Sequence, residues 1–516
     1  MSIQPIRRAL ISVSNKEGLD IIAPFLIENN ITVISSGGTR KALEALGVPV
    51  TPIENVTGNP EAFGGRMKTL SFQVSSALLF RRGHEGDEAQ AMELGIDAID
   101  LVICNLYPFA DVVARGGDFD EKIENIDIGG PTMVRASAKN FAHVCVLVNP
   151  SSYSAFLEEY TSNSGTSLAF RKQQALAAFR HTALYDVQIA QQFELAVEGE
   201  MKTYATDGAN ARTLRYGENP DQKAWVFGNS GIAGATPLQG RALSYNNMLD
   251  SDAAYRSCAD VAALAPNRYT VSIIKHLNPC GLAQASTQLE ALERAWEGDP
   301  ISAFGSIICF DKPVEEECAQ FLRKKFIEVV VAPSFTDGAK VLFAKKKKLR
   351  LIEHEIAYPK EAMIRSIYGG YLVQEEDQII DTDIDWQTNE ESAPSVALCR
   401  FGIAATKHLR SNAISLVRMN GDTFQLIGAG MGNPNRLIST QQAIEKAREN
   451  GASDLQDCIL ISDAFFPFRD NVDLAAKEGI RAIIQPGGSI RDGEVKQAAT
   501  EHNISMAFTG RRHFRH

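Results

Sequence analysis

Short apolar runs alternate with helical patterns over the first 200 residues, and this alternation constrains the fold more than any other feature. Residues 31–34, 101–104 and 144–148 are rich in aliphatic and β-branched side chains, as is typical of strands covered on both faces of a parallel sheet. The segment 19–26, which precedes the first of these runs, repeats its apolar residues at near-helical spacing. Strands that alternate with helices predict a doubly wound α/β domain.

The chain is long enough for at least two domains. It has 516 residues, of which 44% are hydrophobic, so each domain can bury a sizeable core. The stretch 201–211 is polar and lacks hydrophobic periodicity, which predicts a linker. We therefore expect one domain over residues 1–200 and a second over residues 201–516. The acidic segment 381–394 is a candidate for a further division of the second domain.

The charge balance argues against a general nucleic-acid or membrane-surface protein. The 52 basic and 63 acidic residues give a net charge of −11, so an anionic ligand must find a local group of cations and backbone N–H groups. The lysine run 345–348 is more typical of a solvated face than of a nucleic-acid patch. These observations favour small-molecule partners.

The sequence predicts a cytosolic protein with reduced cysteines. The first eight residues are polar, and no apolar run reaches the roughly 20 residues of a membrane helix. The 8 cysteines lie far apart and form no CxxC pair. This spacing favours buried reduced thiols over disulfides or zinc ligands.

Two glycine- and serine-containing segments near the N-terminus suggest a phosphate site. Residues 35–39 follow a predicted strand and open a predicted helix, where backbone N–H groups can bind an anion, although such turns also occur as plain connections. Residues 12–16 supply hydroxyls and a cation at the same edge of the sheet. The candidate phosphate-binding residues are Ser12, Ser14, Lys16, Ser36, Gly37, Gly38 and Thr39.

Later segments of the first domain carry acid/base chemistry. They place polar side chains beside glycines or directly after a strand, namely Arg66, Lys68, Thr69, Asn105, Tyr107, Asp127 and Lys139. Taken singly, each is also consistent with a loop residue or a helix cap. If the fold gathers Lys68, Tyr107, Asp127 and Lys139, they form a metal-free group for proton transfer and oxyanion stabilisation.

The second domain contains an adjacent lysine and histidine after the apolar run 271–274. We expect Lys275 at the carboxyl edge of a sheet, and we expect the strand to fray near His276, because Pro279 cannot continue a strand ladder. Fraying lets the two side chains share a site. The alternative is that Lys275 is a solvated strand end and His276 a hydrogen-bonded core residue.

The same segment resembles a zinc-binding signature that lacks a catalytic residue and a metal ligand. His-x-Asn-Pro-Cys-Gly at 276–281 is similar to the zinc deaminase signature, but Asn278 replaces the general acid/base glutamate and no second cysteine follows Cys280. A zinc hydrolase is therefore disfavoured. We keep a zinc nucleoside deaminase and a non-catalytic purine-nucleotide sensor as the alternatives to a metal-free enzyme.

Taken in order, these strings resemble the bifunctional purine-biosynthesis family that joins phosphoribosylaminoimidazolecarboxamide (AICAR) transformylase to IMP cyclohydrolase. Further matching strings lie at residues 214–220, 243–247, 299–305, 407–413, 462–470 and 512–516. The resemblance implies a methylglyoxal-synthase-like domain followed by two cytidine-deaminase-like lobes. It also implies a homodimer with transformylase sites at the interface, 10-formyltetrahydrofolate as co-substrate and no required metal.

The resemblance also implies roles for individual residues. His276 would be the base for formyl transfer, since imidazole is the side chain best suited to proton transfer at neutral pH, and Lys275 would stabilise the oxyanion or protonate the leaving nitrogen. Asn412 would orient the formyl group. Contacts to the nucleotide or the folate are implied for Arg215, Tyr216, Asp463, Phe465 and Phe468.

For ring closure of formylated AICAR (FAICAR) to IMP, the resemblance implies that Lys68 and Tyr107 polarise the formyl oxygen. Asp127 and Lys139 would manage protons, and the phosphate-binding residues would hold the nucleotide. Three positions depart from the family pattern. Ser71-Phe72 replaces a usual His-Pro beside Lys68, Asp221 replaces a usual His, and residues 397–404 lack the usual aromatic and acidic side chains.

Overall fold

The computed structural model describes residues 3–63, 66–199, 211–228, 230–358, 362–378 and 383–516. The chain divides into two compact units, residues 1–210 and 211–516. The predicted linker 201–211 lies outside the described residues except for its last residue.

Within the described ranges, the first unit alternates strands and helices. Its strands are β1 (Ile3–Gln4), β2 (Arg8–Ile11), β3 (Thr32–Ser35), β4 (Val50–Pro52), β5 (Leu101–Ile103), β6 (Cys145–Leu147) and β7 (Thr166–Ser167). Its helices are α1 (Leu19–Glu28), α2 (Gly37–Ala45), α3 (Ile53–Thr57), α4 (Phe72–Leu79), α5 (Glu85–Glu93), α6 (Phe109–Ala114), α7 (Phe119–Glu124), α8 (Gly129–Lys139), α9 (Tyr153–Asn163) and α10 (Leu168–Glu198).

Five of these strands form a parallel sheet in the order β4-β3-β2-β5-β6. Successive residues of each strand enter opposite cores: Leu10 and Val102 pack on one face, and Ile11 and Ile103 on the other. Helices cover both faces, which confirms the predicted doubly wound architecture. The short strand β4 was not predicted, because its three residues carry little periodicity.

In the second unit, the described strands are β8 (Arg212–Thr213), β9 (Trp225–Val226), β10 (Tyr269–Lys275), β11 (Asn278–Ala285), β12 (Ser306–Phe310), β13 (Ile327–Ala332), β14 (Arg350–Glu353), β15 (Met363–Ile367), β16 (Gly370–Gln374), β17 (Asp385–Thr388), β18 (Ile414–Asn420), β19 (Thr423–Gly430), β20 (Cys458–Ser462), β21 (Ala482–Gln485) and β22 (Ser505–Phe508). The described helices are α11 (Gly231–Gly234), α12 (Tyr245–Leu264), α13 (Gln288–Gly298), α14 (Glu316–Leu322), α15 (Asp337–Ala344), α16 (Val396–Lys407), α17 (Arg436–Glu449), α18 (Asp470–Lys477) and α19 (Asp492–Glu501).

The second unit is built from two lobes with the same order of elements. In the first lobe β10 pairs antiparallel with β11 and β12, and β13 and β14 add in parallel. In the second lobe β18 pairs antiparallel with β19 and β20, and β21 and β22 add in parallel. The antiparallel pair β11–β19 joins the lobes into one mixed sheet. The sequence showed no short repeat, because the repeated unit here is a whole lobe.

The acidic segment 381–394 lies between the last strand of the first lobe and the first helix of the second. Residues 381 and 382 are outside the described ranges, but Asp385–Thr388 forms β17, which pairs with β22 at the edge of the large sheet. Part of this segment is therefore a strand of the second lobe rather than a flexible connection.

Candidate active sites

The carboxyl edge of the parallel sheet brings two loops of the first unit together. The strand order reverses between β2 and β5, and ligands bind at such a point in open α/β sheets. Asn105, which follows β5, accepts hydrogen bonds from the backbone N–H of Ser14 and of Asn15, and donates to the Asn15 carbonyl at 2.8 Å. Asn105 therefore ties the loop after β5 to the loop after β2.

A cavity of about 450 Å³ opens at this edge. It gathers residues from five separate segments of the chain. The predicted site residues that line it are Ser12, Ser36, Arg66, Lys68, Thr69, Tyr107 and Asp127. Leu70, Ile126 and Met133 supply apolar wall, so the cavity combines polar groups with an apolar surface, as small-molecule sites usually do.

One end of this region suits an anion. Helix α2 begins at Gly37, directly after Ser36, so its first N–H groups and the positive end of its dipole face the strand ends. A side chain at Gly37 would lie 3.9 Å from Nζ of Lys68, and one at Gly38 would lie 3.9 Å from Nζ of Lys16. Two ammonium groups thus flank the helix start.

Two predicted phosphate-site residues contact the backbone instead of lining the cavity. Lys16 donates to the carbonyls of Val13 at 2.6 Å and Ser14 at 2.8 Å, and burial lowers its pKa. The buried Thr39 hydroxyl accepts from the N–H of Val13 at 3.1 Å and donates to its carbonyl at 2.9 Å. Thr39 therefore fixes the loop after β2.

Asp127 is a partly buried carboxyl group on the wall of the cavity. Burial raises its pKa, while hydrogen bonds from the backbone N–H groups of Gly130 and Tyr107 oppose that rise. Its Oδ1 accepts from the Gly130 N–H at 2.8 Å, and a side chain at Gly130 would come within 2.4 Å of Oδ2. Only glycine permits this close approach. Carboxyl groups whose pKa is raised by burial are candidates for acid/base roles when they line a cavity.

The structure separates Lys139 from the group expected around Lys68. Helix α8 begins at the cavity with Gly129, and Lys139 is its last residue, exposed to solvent. Ten residues of α-helix span about 15 Å, and Lys139 is not among the residues that line the cavity. Lys68 itself forms an ion pair with Glu61 at 3.1 Å, and Arg66 pairs with Glu124.

Ser71-Phe72 replaces the usual His-Pro of the family near Lys68, and helix α4 still begins at this position. Ser71 is the N-cap, and its Oγ accepts a hydrogen bond from the N–H of Val74 at 3.0 Å. Phe72 is the first helical residue, a position where proline is favoured in general. Serine is a strong N-cap, so the helix begins without the usual His-Pro, and Lys68 remains on the cavity wall.

In the second unit, Lys275 and His276 lie at a hairpin. His276 and Leu277 connect β10 to β11 with φ values of 51° and 67°. The expectation that the strand frays and leaves the sheet at Pro279 is wrong, because Pro279 lies in β11 opposite Ile274 beside a bulge. The pairing of β11 with β19 lies farther along the strand, so the missing N–H of Pro279 interrupts no ladder there.

Both side chains line one cavity of about 230 Å³. Nζ of Lys275 donates to the carbonyls of Phe304 and Gly305, each at 3.1 Å. On the other side of the turn, Asn278 donates to the His276 carbonyl at 2.9 Å. These contacts fix the base of the turn, while His276 itself is exposed.

Sequence reasoning missed several polar residues of this cavity. Asp299 accepts from the Ser302 hydroxyl at 2.6 Å and pairs with Lys446 at 3.4 Å, and all three line the cavity. Asp299 and Ser302 lie in a string that matched the family, which was the available signal. Lys446 lies in a helix of the second lobe and had no such signal.

The predicted formyl- and folate-contacting residues form a separate group. Oδ1 of Asn412 accepts from Arg436 at 2.7 Å, and Arg436 also pairs with the fully buried Asp463. Asp463 additionally accepts from the Ser411 hydroxyl. Its carboxylate is thus engaged within the protein. Phe465 and Phe468, which follow Asp463, are partly exposed.

The predicted nucleotide contacts of the second unit occupy a third location. Arg215 lines a cavity of about 390 Å³ together with Arg212 and Arg241. Its guanidinium lies 4.5 Å from the ring centroid of Tyr216 and donates to the Tyr216 hydroxyl. This arginine cavity is distinct from the one lined by Lys275 and His276.

Other sequence-based expectations can be compared with the described residues. All 8 cysteines are free, and all but Cys280 are buried, which confirms the thiol prediction. Among the described residues, no group of three or more His, Cys, Asp or Glu side chains could hold a metal ion. None of the described helices is both long and apolar enough to span a membrane.

Two family models match the chain. The MGS-like domain matches residues 18–132, and the AICARFT/IMPCHase bienzyme matches residues 137–446. The chain belongs to the AICARFT/IMPCHase bienzyme family. This confirms the resemblance, including an MGS-like first domain. The protein is therefore a bifunctional AICAR formyltransferase and IMP cyclohydrolase, which catalyses the last two steps of purine biosynthesis, rather than a zinc deaminase or a non-catalytic sensor.

Curated relatives agree with this membership. The bifunctional purine biosynthesis proteins PurH of Brucella ovis, Brucella canis and Brucella suis are each 44% identical over 530 residues, covering 99% of this chain and 97% of the relative. A solved structure titled "Crystal structure of ForH" is 33% identical and covers 36% of this chain and 98% of its own, with a TM-score of 0.32.

Proposed function

We propose that the first unit closes the ring of FAICAR and that the second unit transfers the formyl group to AICAR. The observation that carries the first assignment is the single cavity where Lys68, Tyr107 and Asp127 meet beside the start of α2. Ring closure is intramolecular, so an enzyme mainly has to position the substrate and polarise it. An anion-binding helix start and a nearby acid/base group supply these two needs.

In the proposed ring closure, the phosphate binds at the N-terminus of α2 beside Lys16. The carboxamide nitrogen attacks the formyl carbon, and Lys68 and Tyr107 donate to the formyl oxygen as its negative charge develops. Asp127 accepts a proton from the attacking nitrogen, and the oxyanion takes up a proton to give a carbinolamine hydroxyl. The formylamino nitrogen then loses its proton as a C=N bond forms, the hydroxyl is protonated, the C–O bond breaks and water leaves. Lys139 has no part in this scheme, because it lies at the far end of α8.

In the proposed formyl transfer, His276 removes a proton from the weakly nucleophilic 5-amino group of AICAR as it attacks the formyl carbon. Lys275, held by the carbonyls of Phe304 and Gly305, stabilises the oxyanion and then protonates the leaving nitrogen. The donor is 10-formyltetrahydrofolate, as the family's formyltransferase activity implies. No required metal enters the proposal.

We also propose a homodimer whose transformylase sites lie at the interface. The support is that Arg215 lines a cavity other than the one that His276 lines. In a homodimer, a partner subunit supplies a route by which such groups share one site. The free thiols fit a reducing compartment such as the cytosol.

A two-stage assay tests these assignments. The protein is given AICAR and 10-formyltetrahydrofolate, and the formylated intermediate and IMP are measured over time. We expect FAICAR to form first and IMP to follow, and we expect supplied FAICAR to give IMP without the folate. If IMP formation from FAICAR required residues of the second unit, the assignment of ring closure to the first unit would be wrong.

A further inference from the structure

The turn that carries His276 lacks the residues that usually stabilise such a turn. His276 and Leu277 both have positive φ, at 51° and 67°. Two-residue hairpin turns with positive φ at both positions favour Asn-Gly or Asp-Gly, and this conformation is rare for leucine. Local preference therefore does not hold the turn. Contacts from other parts of the chain must do so.

Asp250 provides the contact on the N–H side of the turn. It lies on α12, its side chain is buried, and its Oδ1 accepts the Leu277 N–H at 2.7 Å. The backbone of His276 also hydrogen-bonds to this carboxylate. Helix α12 is a firm support, because Ser244 and Asn247 form a capping box at its start.

The opposite side of the turn is held by different groups. Asn278 donates to the His276 carbonyl at 2.9 Å and accepts from the Arg410 N–H at 3.0 Å. Lys275 is anchored by its own ammonium group. Asp250 thus accepts hydrogen bonds from the N–H groups of the turn, whereas Asn278 donates a hydrogen bond to its carbonyl.

The electrostatic surroundings of Asp250 agree with this role. Burial raises its pKa, whereas the Leu277 N–H and the nearby charges of His276 and Lys275 lower it. A buried carboxylate is unfavourable unless it is hydrogen-bonded, and here its partners belong to the turn. The carboxylate and the turn therefore depend on each other.

We propose that Asp250 is a positioning residue for formyl transfer, whose buried carboxylate holds the His276-Leu277 turn so that His276 faces the cavity. This inference rests on the proposed role of His276. Asp250 touches no reacting atom. A displacement of about 1 Å can reduce a rate by about 100-fold, so a loosened turn would be costly without unfolding the protein.

The test compares three variants in the full-length protein. We expect Asp250→Ala to lower kcat for formyl transfer about 10- to 100-fold, with KM for AICAR changed by less than about threefold. Asp250→Asn keeps an oxygen acceptor for the Leu277 N–H and should recover most of kcat. The matched control is Asp252→Ala, on the same helix, which removes a carboxylate that pairs with Arg256 rather than with the turn.

Thermal unfolding checks that each variant is folded. If Asp250→Ala does not fold, Asp250→Ser replaces it, because its hydroxyl is too short to reach the Leu277 N–H. Wild-type kcat in the folded Ala or Ser variant would overturn the inference. So would an Asn variant as impaired as the Ala variant, since the charge and not the hydrogen bond would then matter.

A double variant separates this inference from the proposed function. In a His276→Ala background, Asp250→Ala should lower formyl transfer by less than about threefold further, because the group it positions is gone. A full additional loss would overturn the positioning role. If His276→Ala alone left formyl transfer unchanged, the proposed function of His276 would fail. If His276→Ala were impaired and Asp250→Ala were not, only the inference about Asp250 would fail.

Discussion

In the first unit, seven residues chosen from the sequence line one cavity, whereas those chosen for formyl transfer in the second unit divide among three places. The strands of the first sheet are all parallel, so their carboxyl ends and following loops meet at one edge. The second sheet is mixed. Its Lys275 is the last residue of β10, and His276 lies in the turn that follows. A parallel sheet therefore makes site residues easier to group from sequence than a mixed sheet does.

The two units nevertheless share one structural feature, a carboxylate that accepts hydrogen bonds from the backbone. Each places a carboxyl group whose pKa is raised by burial against backbone N–H groups, Asp127 in the first and Asp250 in the second. In the first unit, Gly130 gives the backbone room to approach the carboxylate. In the second unit, the turn consists of His276 and Leu277, so the carboxylate must hold a conformation that these residues do not prefer.

The largest effect is expected from removing His276. We expect His276→Ala to lower formyl transfer by about 10²–10⁴-fold, the usual contribution of a positioned general base, while ring closure of supplied FAICAR stays at the wild-type rate. Both rates are measured on the same preparation. Lys275→Ala should behave similarly. Equal losses of the two activities would contradict the assignment of formyl transfer to the second unit and of ring closure to the first.

The next largest effect is expected from Lys68→Ala. A preorganised donor at a developing oxyanion contributes about 3–4 kcal/mol, so kcat for ring closure should fall by about 10²–10³-fold and FAICAR should accumulate. Lys139→Ala is the matched control, since it removes an exposed lysine from the same unit, and its rate should match the wild type. A higher KM with unchanged kcat would instead restrict Lys68 to binding the phosphate.

A pH-dependent stability effect is expected from Asp127→Asn. Because the folded-state pKa of Asp127 is raised above 3.8, the native state binds this proton more tightly than the unfolded state does. Its contribution to the free energy of unfolding therefore decreases as the pH rises from the ordinary value through the raised one. Each unit of pKa corresponds to about 1.4 kcal/mol.

Asparagine has no such titration and keeps an acceptor for the Gly130 N–H, so Asp127→Asn should be the more stable protein at neutral pH. The measurement is denaturant unfolding of the first unit in both proteins between about pH 3 and pH 8. The wild type should lose stability relative to the variant as the pH rises. The reverse slope would show that the hydrogen bonds outweigh burial at this carboxyl group.

A smaller effect is expected from Ser71→Ala. Loss of an N-cap costs about 1 kcal/mol, so the first unit should unfold at a slightly lower denaturant concentration. Ser71→Thr, which keeps a capping oxygen, is the control. An unchanged unfolding midpoint in the alanine variant would mean that the start of α4 does not depend on this cap.

No loss of ring closure is expected when the second unit is removed. Helix α10 ends at Glu198, and Gly199 adopts the left-handed conformation common after a helix, so a fragment ending at residue 200 cuts no described element. Its rate with supplied FAICAR should equal that of the full chain. A soluble but inactive fragment would show that the first cavity depends on residues beyond the proposed boundary.

The sequence was most informative where structure is local. The runs that became β3, β5 and β6 were recognisable because buried parallel strands carry unbroken apolar side chains. It was less informative about Lys139, since a matching string does not show which end of a helix faces a cavity. The turn at His276 was misjudged because proline at 279 suggested an end to the strand, whereas a bulged hairpin accommodates it.

The sequence alone determined the alternating elements of the first unit and, through its ordered strings, the family and its two activities. The tertiary structure alone decided which groups meet. Asp250 contacts a residue 27 positions away, and Arg410 contacts Asn278 across 132 positions. Periodicity reports which face of an element is buried, because hydrophobic burial acts on whole faces. Hydrogen bonds between distant segments depend on how the chain is packed, and no local pattern encodes that.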